Sequence, residues 1–414
     1  MNGELRRDAE AIMTGAIEAV CPDEAVRRAL SHMELEGRLY LVAVGKAAWQ
    51  MAKAALAYLP RPVEKGIVIT KYKHVKGALP GIRCFEAGHP VSDENGYRAT
   101  EAVLQMTEKL TEEDTVLFLL SGGGSALFEK PLVSPEELES VTKRLLASGA
   151  DIVEMNTVRK RLSAVKGGKF ALHCAPAQVR GIVLSDVLGD PLDMIASGPA
   201  TADTSTSEEA MAVIKKYGIS LSAEAEHCLM QEAPKEVPNG EMKVIGSVGE
   251  LCAAAEKICR SLGYEPVFLT DRLCCEAREA GRFLANILQS HKKDGRSLAF
   301  LAGGETVVHV QGTGLGGRNQ ELALAAAAEL DGMEGAAVFS FGSDGTDGPT
   351  DAAGGYADGH TAGILRSRGM SLTQMLQNND AYHALEAAGG LLFTGPTGTN
   401  VNDLSVALLK RDAV

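Results

Sequence analysis

Residues 115–126, TVLFLLSGGGSA, decide the fold that the sequence predicts. Residues 116–120 form an unbroken apolar run, the pattern of a strand buried on both faces, and such strands are typical of parallel sheets. The glycine loop that follows consists of Ser121, Gly122, Gly123, Gly124 and Ser125. Its backbone N–H groups can face one point beside a helix N-terminus, which suits a phosphate or a carboxylate. The alternative is a tight strand-to-helix turn in which glycine only avoids a clash.

The same alternation of apolar strands and amphipathic helices continues in both directions and indicates two α/β domains. Further strands are predicted at residues 39–44, 66–70, 179–184, 243–247, 265–269, 298–301 and 336–341. Residues 231–242, QEAPKEVPNGEM, combine two prolines, a glycine and charged side chains, as linkers do. We therefore predict a Rossmann-like, mostly parallel domain over residues 1–238 and a second α/β domain over residues 239–414.

The composition is that of an ordinary globular protein and argues against several classes of partner. Of the 414 residues, 45% are hydrophobic and 23% are charged. The net charge of −13 argues against a nucleic-acid partner. No apolar run reaches the ~18 residues that a membrane span needs. The chain enters an amphipathic helix without a signal peptide, and its eight cysteines are scattered. We therefore expect a cytoplasmic protein with reduced thiols.

Basic residues at two places are candidate anion ligands. Lys46 follows the strand at residues 39–44 and begins a helix, beside the positive end of the helix dipole. That position suits an anion, although a lysine there can also point into water. Asn156, Arg159 and Lys166 belong to a basic segment of an otherwise acidic chain. They predict a positive wall for an anionic substrate, and the alternative is a solvated helix face.

Two aspartates follow the strand at residues 179–184. Ligands of doubly wound sheets bind at the carboxyl ends of the strands, and Asp186 lies at such an end. A general base or an Mg²⁺ ligand belongs there. Asp190 is the second candidate Mg²⁺ ligand. The alternative is that both aspartates only build turns.

A glycine motif marks the second domain. Residues 312–317, GTGLGG, match the G-x-G-x-x-G pattern of dinucleotide-binding loops. The acidic residue expected ~20 positions further on is misplaced, since Asp331 precedes the next strand and Asp344 follows it. Arg318 places a guanidinium at the helix N-terminus, which suits a phosphoryl group in transfer. Further candidate substrate- or phosphate-binding positions are Glu305, Gly316, Gly317, Asn319, Asp344 and Asn400.

Eight ordered stretches, from about residue 40 to the C-terminus, resemble the class II glycerate kinases, the glycerate 2-kinase family with a C-terminal MOFRL domain. They are VGKAAWQMA from Val44, GHPVSDENG from Gly88, LSGGGSAL from Leu120, NTVRKRLSAVKGGKFA from Asn156, SDVLGDPLDMIASGP from Ser185, GGRNQELAL from Gly316, GSDGTDGPTDAAGG from Gly342 and GPTGTNVNDL from Gly395. The sequence departs from the family pattern at Ser92, where proline is expected, and at Arg161, where histidine is frequent.

The resemblance implies transfer of the γ-phosphoryl group of ATP, with Mg²⁺, to D-glycerate, giving 2-phospho-D-glycerate in a cleft between two α/β domains. It carries Lys46, Asp186 and Arg318 over as catalytic residues. The glycine loop, with Arg159 or Lys166, would hold the substrate carboxylate or a phosphate. A homodimer is compatible with this interpretation.

Two other functions compete with a kinase. The first is an NAD(P)H-dependent hydroxypyruvate reductase, which the G-x-G-x-x-G motif favours and the misplaced acidic residue opposes. The second is a non-catalytic protein that binds small phosphorylated metabolites. It predicts binding without turnover and no special requirement for Asp186.

Overall fold

The computed structural model describes residues 2–187 and 189–411, which form two compact units. One unit runs from Ala25 to Ile245, and the other combines the chain up to Glu24 with the chain from Gly246 onward. Within the described part of the chain, no helix is long and apolar enough to cross a bilayer.

Helices and strands alternate along most of the chain, as the sequence predicts. The helices are α1 (Gly3–Val20), α2 (Pro22–Leu30), α3 (Ala48–Tyr58), α4 (Glu94–Thr107), α5 (Gly124–Leu127), α6 (Pro135–Ala147), α7 (Ile152–Arg161), α8 (Lys169–Cys174), α9 (Ser207–Lys216), α10 (Ala223–Met230), α11 (Val248–Ser261), α12 (Ala277–Ser290), α13 (Arg318–Glu329), α14 (Thr361–Ser367), α15 (Leu372–Gln377) and α16 (Ala381–Ala388). The strands are β1 (Arg38–Val44), β2 (Lys65–Lys71), β3 (Ile82–Ala87), β4 (Asp114–Leu120), β5 (Gln178–Leu184), β6 (Gly240–Gly246), β7 (Glu265–Leu273), β8 (Leu298–Gly304), β9 (Ala336–Gly342), β10 (Gly354–Asp358), β11 (Leu391–Leu392) and β12 (Asp403–Leu409).

The first unit is built on a doubly wound sheet with the strand order β3-β2-β1-β4-β5-β6. The strand pairs β2–β3, β1–β2, β1–β4 and β4–β5 are all parallel. Every residue of β4 is buried, because helices cover both faces of the sheet. This confirms the prediction of a parallel sheet around residues 116–120.

The side chains of β4 alternate between two cores. Phe118 belongs to one core, where its ring lies 6.0 Å from that of Phe128 and 5.0 Å from that of Phe170, measured between centroids. Leu117 and Leu119 belong to the core on the opposite face. Since successive side chains of a strand point to opposite faces, an apolar run is what a doubly covered strand requires.

The second unit contains a mixed sheet with the strand order β11-β10-β9-β12-β8-β7. β7 and β8 are parallel, while β12 is antiparallel to both of its neighbours, β8 and β9. The C-terminal strand thus fills the centre of this sheet, and the predicted α/β character of the domain is confirmed.

The predicted domain limits differ from the division of the chain into the two compact units. β6 lies beyond the predicted boundary at residue 238 and is hydrogen-bonded to β5, so it completes the first sheet. Helix α1 was assigned to the first domain, but it packs against α11 of the second unit. Asp8 of α1 accepts hydrogen bonds from Tyr264 Oη at 2.6 Å and Lys410 Nζ at 2.7 Å. Helix α1 therefore packs against a helix that lies more than 200 residues later in the sequence.

Candidate active site

The loops after β1 and β4 meet at the switch point of the first sheet, from which the strand order runs outward in two directions. The Lys46 amide donates to the Gly122 carbonyl at 2.8 Å, and the Ser121 amide donates to the Val44 carbonyl at 2.9 Å. Gly45 has a φ of 121°, and a Cβ atom there would overlap Ser121. The two loops are therefore fixed to each other, with Lys46 at their junction.

Three side chains from three different strand ends surround the glycine loop. A Cβ atom on Gly122 would overlap the Asp186 carboxylate, so this carboxylate lies directly over the backbone of the loop. A Cβ atom on Gly123 would lie 3.0 Å from His89 Cδ2 and 3.3 Å from Lys46 Cγ. The structure thus brings the predicted residues Lys46 and Asp186 to the glycine loop together with His89.

His89, which is not among the predicted site residues, also lies beside the glycine loop. It follows β3 in the GHPVSD segment, and its side chain is half-buried. Burial lowers the pKa of His89 to about 4, and the nearby charges of Lys46, Lys71 and His74 act in the same direction. The imidazole is therefore neutral at pH 7 in a basic environment. Its position after a strand of the sheet was the available sequence signal.

A buried polar network supports the far end of the glycine loop. Ser125 Oγ lies 3.1 Å from Ser197 Oγ, which donates to Asn156 Oδ1 at 2.9 Å. Arg159 Nη2 donates to the Ser125 carbonyl at 3.0 Å. Asn156 is buried and is linked to the loop through Ser197.

Arg159 lies in a desolvated position next to that network. Burial lowers its pKa, against the opposing influence of Glu129. Its Nε atom is buried and has no hydrogen-bond partner among the described residues. Arg159 therefore retains donor capacity beside the glycine loop, as the prediction of an anion-binding role requires.

Lys166 lies in the core instead of lining the site. Its ammonium group lies 2.9 Å from the Glu129 carboxylate and donates to the Phe128 carbonyl at 2.8 Å. Both charged side chains are completely buried, and burial lowers the pKa of Lys166. In this structure Lys166 therefore belongs to a buried ion pair, and the predicted contact with the substrate stays a prediction.

Asp190 was predicted as a second metal ligand and has an unusual environment. Its backbone has a φ of 53°, and its Oδ1 atom is buried without a hydrogen-bond partner among the described residues. No cluster of three or more His, Cys, Asp or Glu side chains that could hold a metal occurs in residues 2–187 or 189–411. One or two carboxylates that complement the phosphates of a nucleotide are, however, the usual protein ligands of Mg²⁺. The Oδ1 atom of Asp190 is suited to be such a carboxylate ligand.

Arg318, in the second unit, is held by two carboxylates. Its Nε and Nη2 atoms donate to the two oxygens of Asp403 at 2.5 and 3.0 Å, and Nη1 donates to Glu305 at 2.7 Å. Burial lowers the pKa of Arg318, but the bonds to Asp403 outweigh it and leave the pKa above its ordinary value. Burial raises the pKa of Asp403 to about 6, against the effect of Arg318. Asp403 was missed, although it is the next-to-last residue of the quoted GPTGTNVNDL stretch.

The N-terminus of α13 is already occupied by a side chain of the protein. The Asp347 carboxylate accepts hydrogen bonds from the amides of Asn319 at 3.1 Å and Gln320 at 2.8 Å. The Asn319 side chain is buried, donates to Asp347 and accepts a hydrogen bond from Ser340 Oγ. An internal carboxylate thus takes the anion position at this helix N-terminus, and the predicted ligand contact of Asn319 stays a prediction.

The G-x-G-x-x-G motif does not form an open dinucleotide cradle. The Gly312 amide donates to Asn379 Oδ1 at 3.0 Å, and the Gly314 amide donates to the Asn378 carbonyl at 2.9 Å. Cβ atoms on Gly312 and Gly314 would overlap the backbone of Asn378. The glycines therefore permit close packing against another segment of the chain, and their amides are used within the protein.

The remaining predicted positions of the second unit shape loops. Asp344 accepts hydrogen bonds from the amide and hydroxyl of Thr346, and Asn400 Oδ1 accepts one from the Asn402 amide. Gly316 and Gly317 precede α13 in closely packed backbone. Glu305 contacts Arg318 directly and stays a candidate for a direct role.

Known proteins resemble this chain over its whole length. The family model described as a domain of unknown function (DUF4147) matches residues 8–230, and the MOFRL family model matches residues 298–403. A D-glycerate 2-kinase from Thermotoga maritima is 54% identical over 98% of both chains. A putative hydroxypyruvate reductase from Agrobacterium vitis is 39% identical over 96% of this chain and 93% of its own.

A solved structure agrees with these sequence relatives. The crystal structure of a glycerate kinase from Thermotoga maritima matches with a TM-score of 0.95 and 53% identity, over 99% of this chain and 100% of that one. The MOFRL match lies within the unit that includes the chain from Gly246 onward, and most of the DUF4147 match lies within the unit from Ala25 to Ile245. The chain therefore belongs to the glycerate 2-kinase family, in which a DUF4147 domain is joined to a MOFRL domain.

Proposed function

We propose that this protein transfers the γ-phosphoryl group of ATP to the C2 hydroxyl of D-glycerate and forms 2-phospho-D-glycerate. The observation that carries the proposal is the convergence of Lys46 and Asp186 on the glycine loop. Phosphoryl transfer depends mainly on positioning and on stabilisation of charge, and this arrangement offers a cation and a carboxylate at the ligand-binding edge of the sheet. The activity named for the Thermotoga maritima relative supports the same reaction.

The two side chains have different roles in this reaction. Lys46 supplies positive charge next to loop amides, where a phosphate or the substrate carboxylate is stabilised. Asp186 accepts a hydrogen bond from the attacking hydroxyl, orients it and takes up its proton as the new bond to phosphorus forms. The Asp186 carboxylate can lie this close to the loop because Gly122 has no side chain.

Two aspartates are the candidate ligands of the Mg²⁺ ion that the proposed reaction would use. When bound, Mg²⁺ would neutralise charge on the phosphates, and Asp186 and Asp190 are the residues that would hold it. Asp190 contributes a carboxylate oxygen that has no hydrogen-bond partner among the described residues.

Arg318 is proposed to stabilise the group in transfer. An arginine in this role contributes about 10³- to 10⁵-fold in other phosphoryl-transfer enzymes. The bidentate contact with Asp403 fixes the plane of the guanidinium group. Glu305 is 46% exposed, so it can rotate away from Nη1 when a phosphoryl oxygen arrives.

A ³¹P NMR time course with purified protein, Mg-ATP and D-glycerate tests the proposal. We expect loss of the γ-phosphate signal and a new phosphate resonance coupled to the C2 proton. Coupling to the C3 protons would keep the kinase and contradict the regiochemistry. No consumption of ATP would contradict the kinase itself.

The reductase alternative makes a separate prediction. The relative from Agrobacterium vitis carries that name, but the glycine motif that favoured a dinucleotide uses its amides internally. We therefore expect no oxidation of NADH or NADPH when hydroxypyruvate is added. Oxidation at a rate comparable to the kinase rate would reverse this conclusion.

A further inference from the structure

We propose that His89 is a further substrate-contacting residue, whose imidazole hydrogen-bonds the oxyanion that binds above the glycine loop. The inference rests on the proposed function, because it assumes that an anionic substrate enters this site. It adds a third side chain, from the end of β3, to Lys46 and Asp186.

The position of His89 next to the glycine loop is fixed from both sides. Its Nε2 atom would lie 3.1 Å from a Cβ atom on Gly123, so the ring edge faces the loop backbone. Three residues later, Ser92 Oγ donates to the Ala126 carbonyl at 2.8 Å, which ties the His89 segment to α5. Asp93 then caps α4 through the Gly96 amide at 2.9 Å. These contacts place the imidazole over the glycine loop.

The charges around His89 favour an anion. Lys46 follows β1, Lys71 ends β2, and His74 lies just beyond, with its Nδ1 atom 3.0 Å from the Lys46 carbonyl. Burial and, to a smaller extent, these three basic groups lower the pKa of His89, so its imidazole is neutral at pH 7. An oxyanion between them would offset their charge and let His89 become a charged hydrogen-bond donor.

The carboxylates near His89 do not offset the positive charge of these basic groups on their own. The Asp93 carboxylate accepts hydrogen bonds from Tyr72 Oη at 2.6 Å and from the Gly96 amide. Glu86, on β3, accepts one from the Val75 amide at 2.9 Å. Asp186 lies over Gly122 instead of Gly123. A bound anion would therefore offset the positive charge on this side of the loop.

Two ligands of the proposed reaction carry an oxyanion that His89 could contact: D-glycerate through its carboxylate, and ATP through its phosphates. Titration calorimetry can separate them, with D-glycerate alone in one series and a non-hydrolysable ATP analogue with Mg²⁺ in the other. Each series is run at pH 6 in two buffers with different ionisation enthalpies. When the ligand that contacts His89 binds, we expect His89 to take up a proton from the buffer. Binding of the other ligand should transfer no proton to His89.

His89→Gln is the informative variant, because glutamine keeps a hydrogen-bonding side chain but cannot be protonated. We expect it to lose the proton uptake and to bind that ligand about 10- to 100-fold more weakly, the range for a hydrogen bond to a charged group. His227→Gln, at an exposed position on α10, is the matched control and should behave like the wild type.

Unchanged affinity and proton uptake in His89→Gln for both ligands would overturn the inference, even if the wild-type protein phosphorylates D-glycerate. If the wild-type protein binds neither ligand, the proposed function fails and this inference fails with it. Thermal unfolding of His89→Gln excludes misfolding, and His89→Asn offers a second variant if glutamine does not fold.

Discussion

Gly122 is the residue at which the smallest possible change tests the catalytic geometry. The Gly122→Ala variant adds one methyl group that must displace the Asp186 carboxylate. We expect kcat to fall by at least about 100-fold, the scale seen when one preorganised polar contact is lost. The φ of Gly122 is not in the left-handed region, so the change in thermal stability should be small.

Gly295→Ala is the matched control for this substitution. A Cβ atom on Gly295 has no neighbour within 4 Å among the described residues, and its φ is also ordinary. A steady-state assay coupled to ADP formation, together with thermal unfolding, should show wild-type behaviour for this control. Wild-type turnover in Gly122→Ala would contradict the role given to Asp186.

Asp403 is the residue that we expect to orient Arg318. In Asp403→Asn one acceptor oxygen becomes a donor, so the two-bond fork to the guanidinium is lost. We expect kcat to fall by about 100-fold while the KM for D-glycerate changes much less, since Arg318 is proposed to act on the group in transfer.

An exposed arginine–aspartate pair with two hydrogen bonds provides the control. Asp331 forms two hydrogen bonds with Arg366, at 2.7 and 3.0 Å, and Asp331→Asn should leave kcat and KM unchanged. Equal kinetics for Asp403→Asn and Asp331→Asn would refute a positioning role for Asp403.

At the scale of elements, one buried ion pair joins the segment after α5 to the segment before α8. In Glu129→Gln the ammonium of Lys166 stays buried without its counter-charge. We expect a loss of about 3–5 kcal/mol in the free energy of unfolding, the range for breaking a buried pair. Urea denaturation measures this change.

The Glu101–Lys130 pair is the exposed control for the buried Glu129–Lys166 pair. Its side chains are 41% and 42% exposed, so Glu101→Gln should cost only about 0–1 kcal/mol. If the two variants lose the same stability, burial is not what gives the Glu129–Lys166 pair its importance.

At the scale of the whole molecule, the second unit depends on a helix from the other end of the chain. A fragment that starts at Gly246 lacks α1, which buries apolar residues such as Leu5 and Ile12 in that unit. We expect this fragment to bind hydrophobic dyes and to be cleaved rapidly by proteases. Adding a synthetic peptide of residues 2–21 in trans should reduce both signals.

A scrambled peptide of the same composition is the control for this experiment. The fragment from Ala25 to Ile245 contains a complete six-stranded sheet and should unfold cooperatively without any peptide. If the fragment from Gly246 is equally resistant to proteases without α1, the assignment of α1 to the second unit is wrong.

Local patterns in the sequence predicted the parallel strands of the first sheet and the position of Lys46 and Asp186 at one edge of it. A continuous apolar run requires cover on both faces, and this predicted the parallel sheet around β4. Lys46 and Asp186 directly follow predicted strands, and parallel strands bring their carboxyl ends to one edge. These inferences need only neighbouring residues, which is why they could be drawn without coordinates.

The tertiary structure alone decided which of the predicted polar residues are paired with other residues of the protein. Lys166 and Asn319 look like ligands in sequence, but their partners Glu129 and Asp347 lie 37 and 28 residues away, and burial fixes them in the core. The place of α1 depends likewise on α11, more than 200 residues later. Burial and charge pairing are set by contacts between distant segments, so they are decided only when the chain has folded.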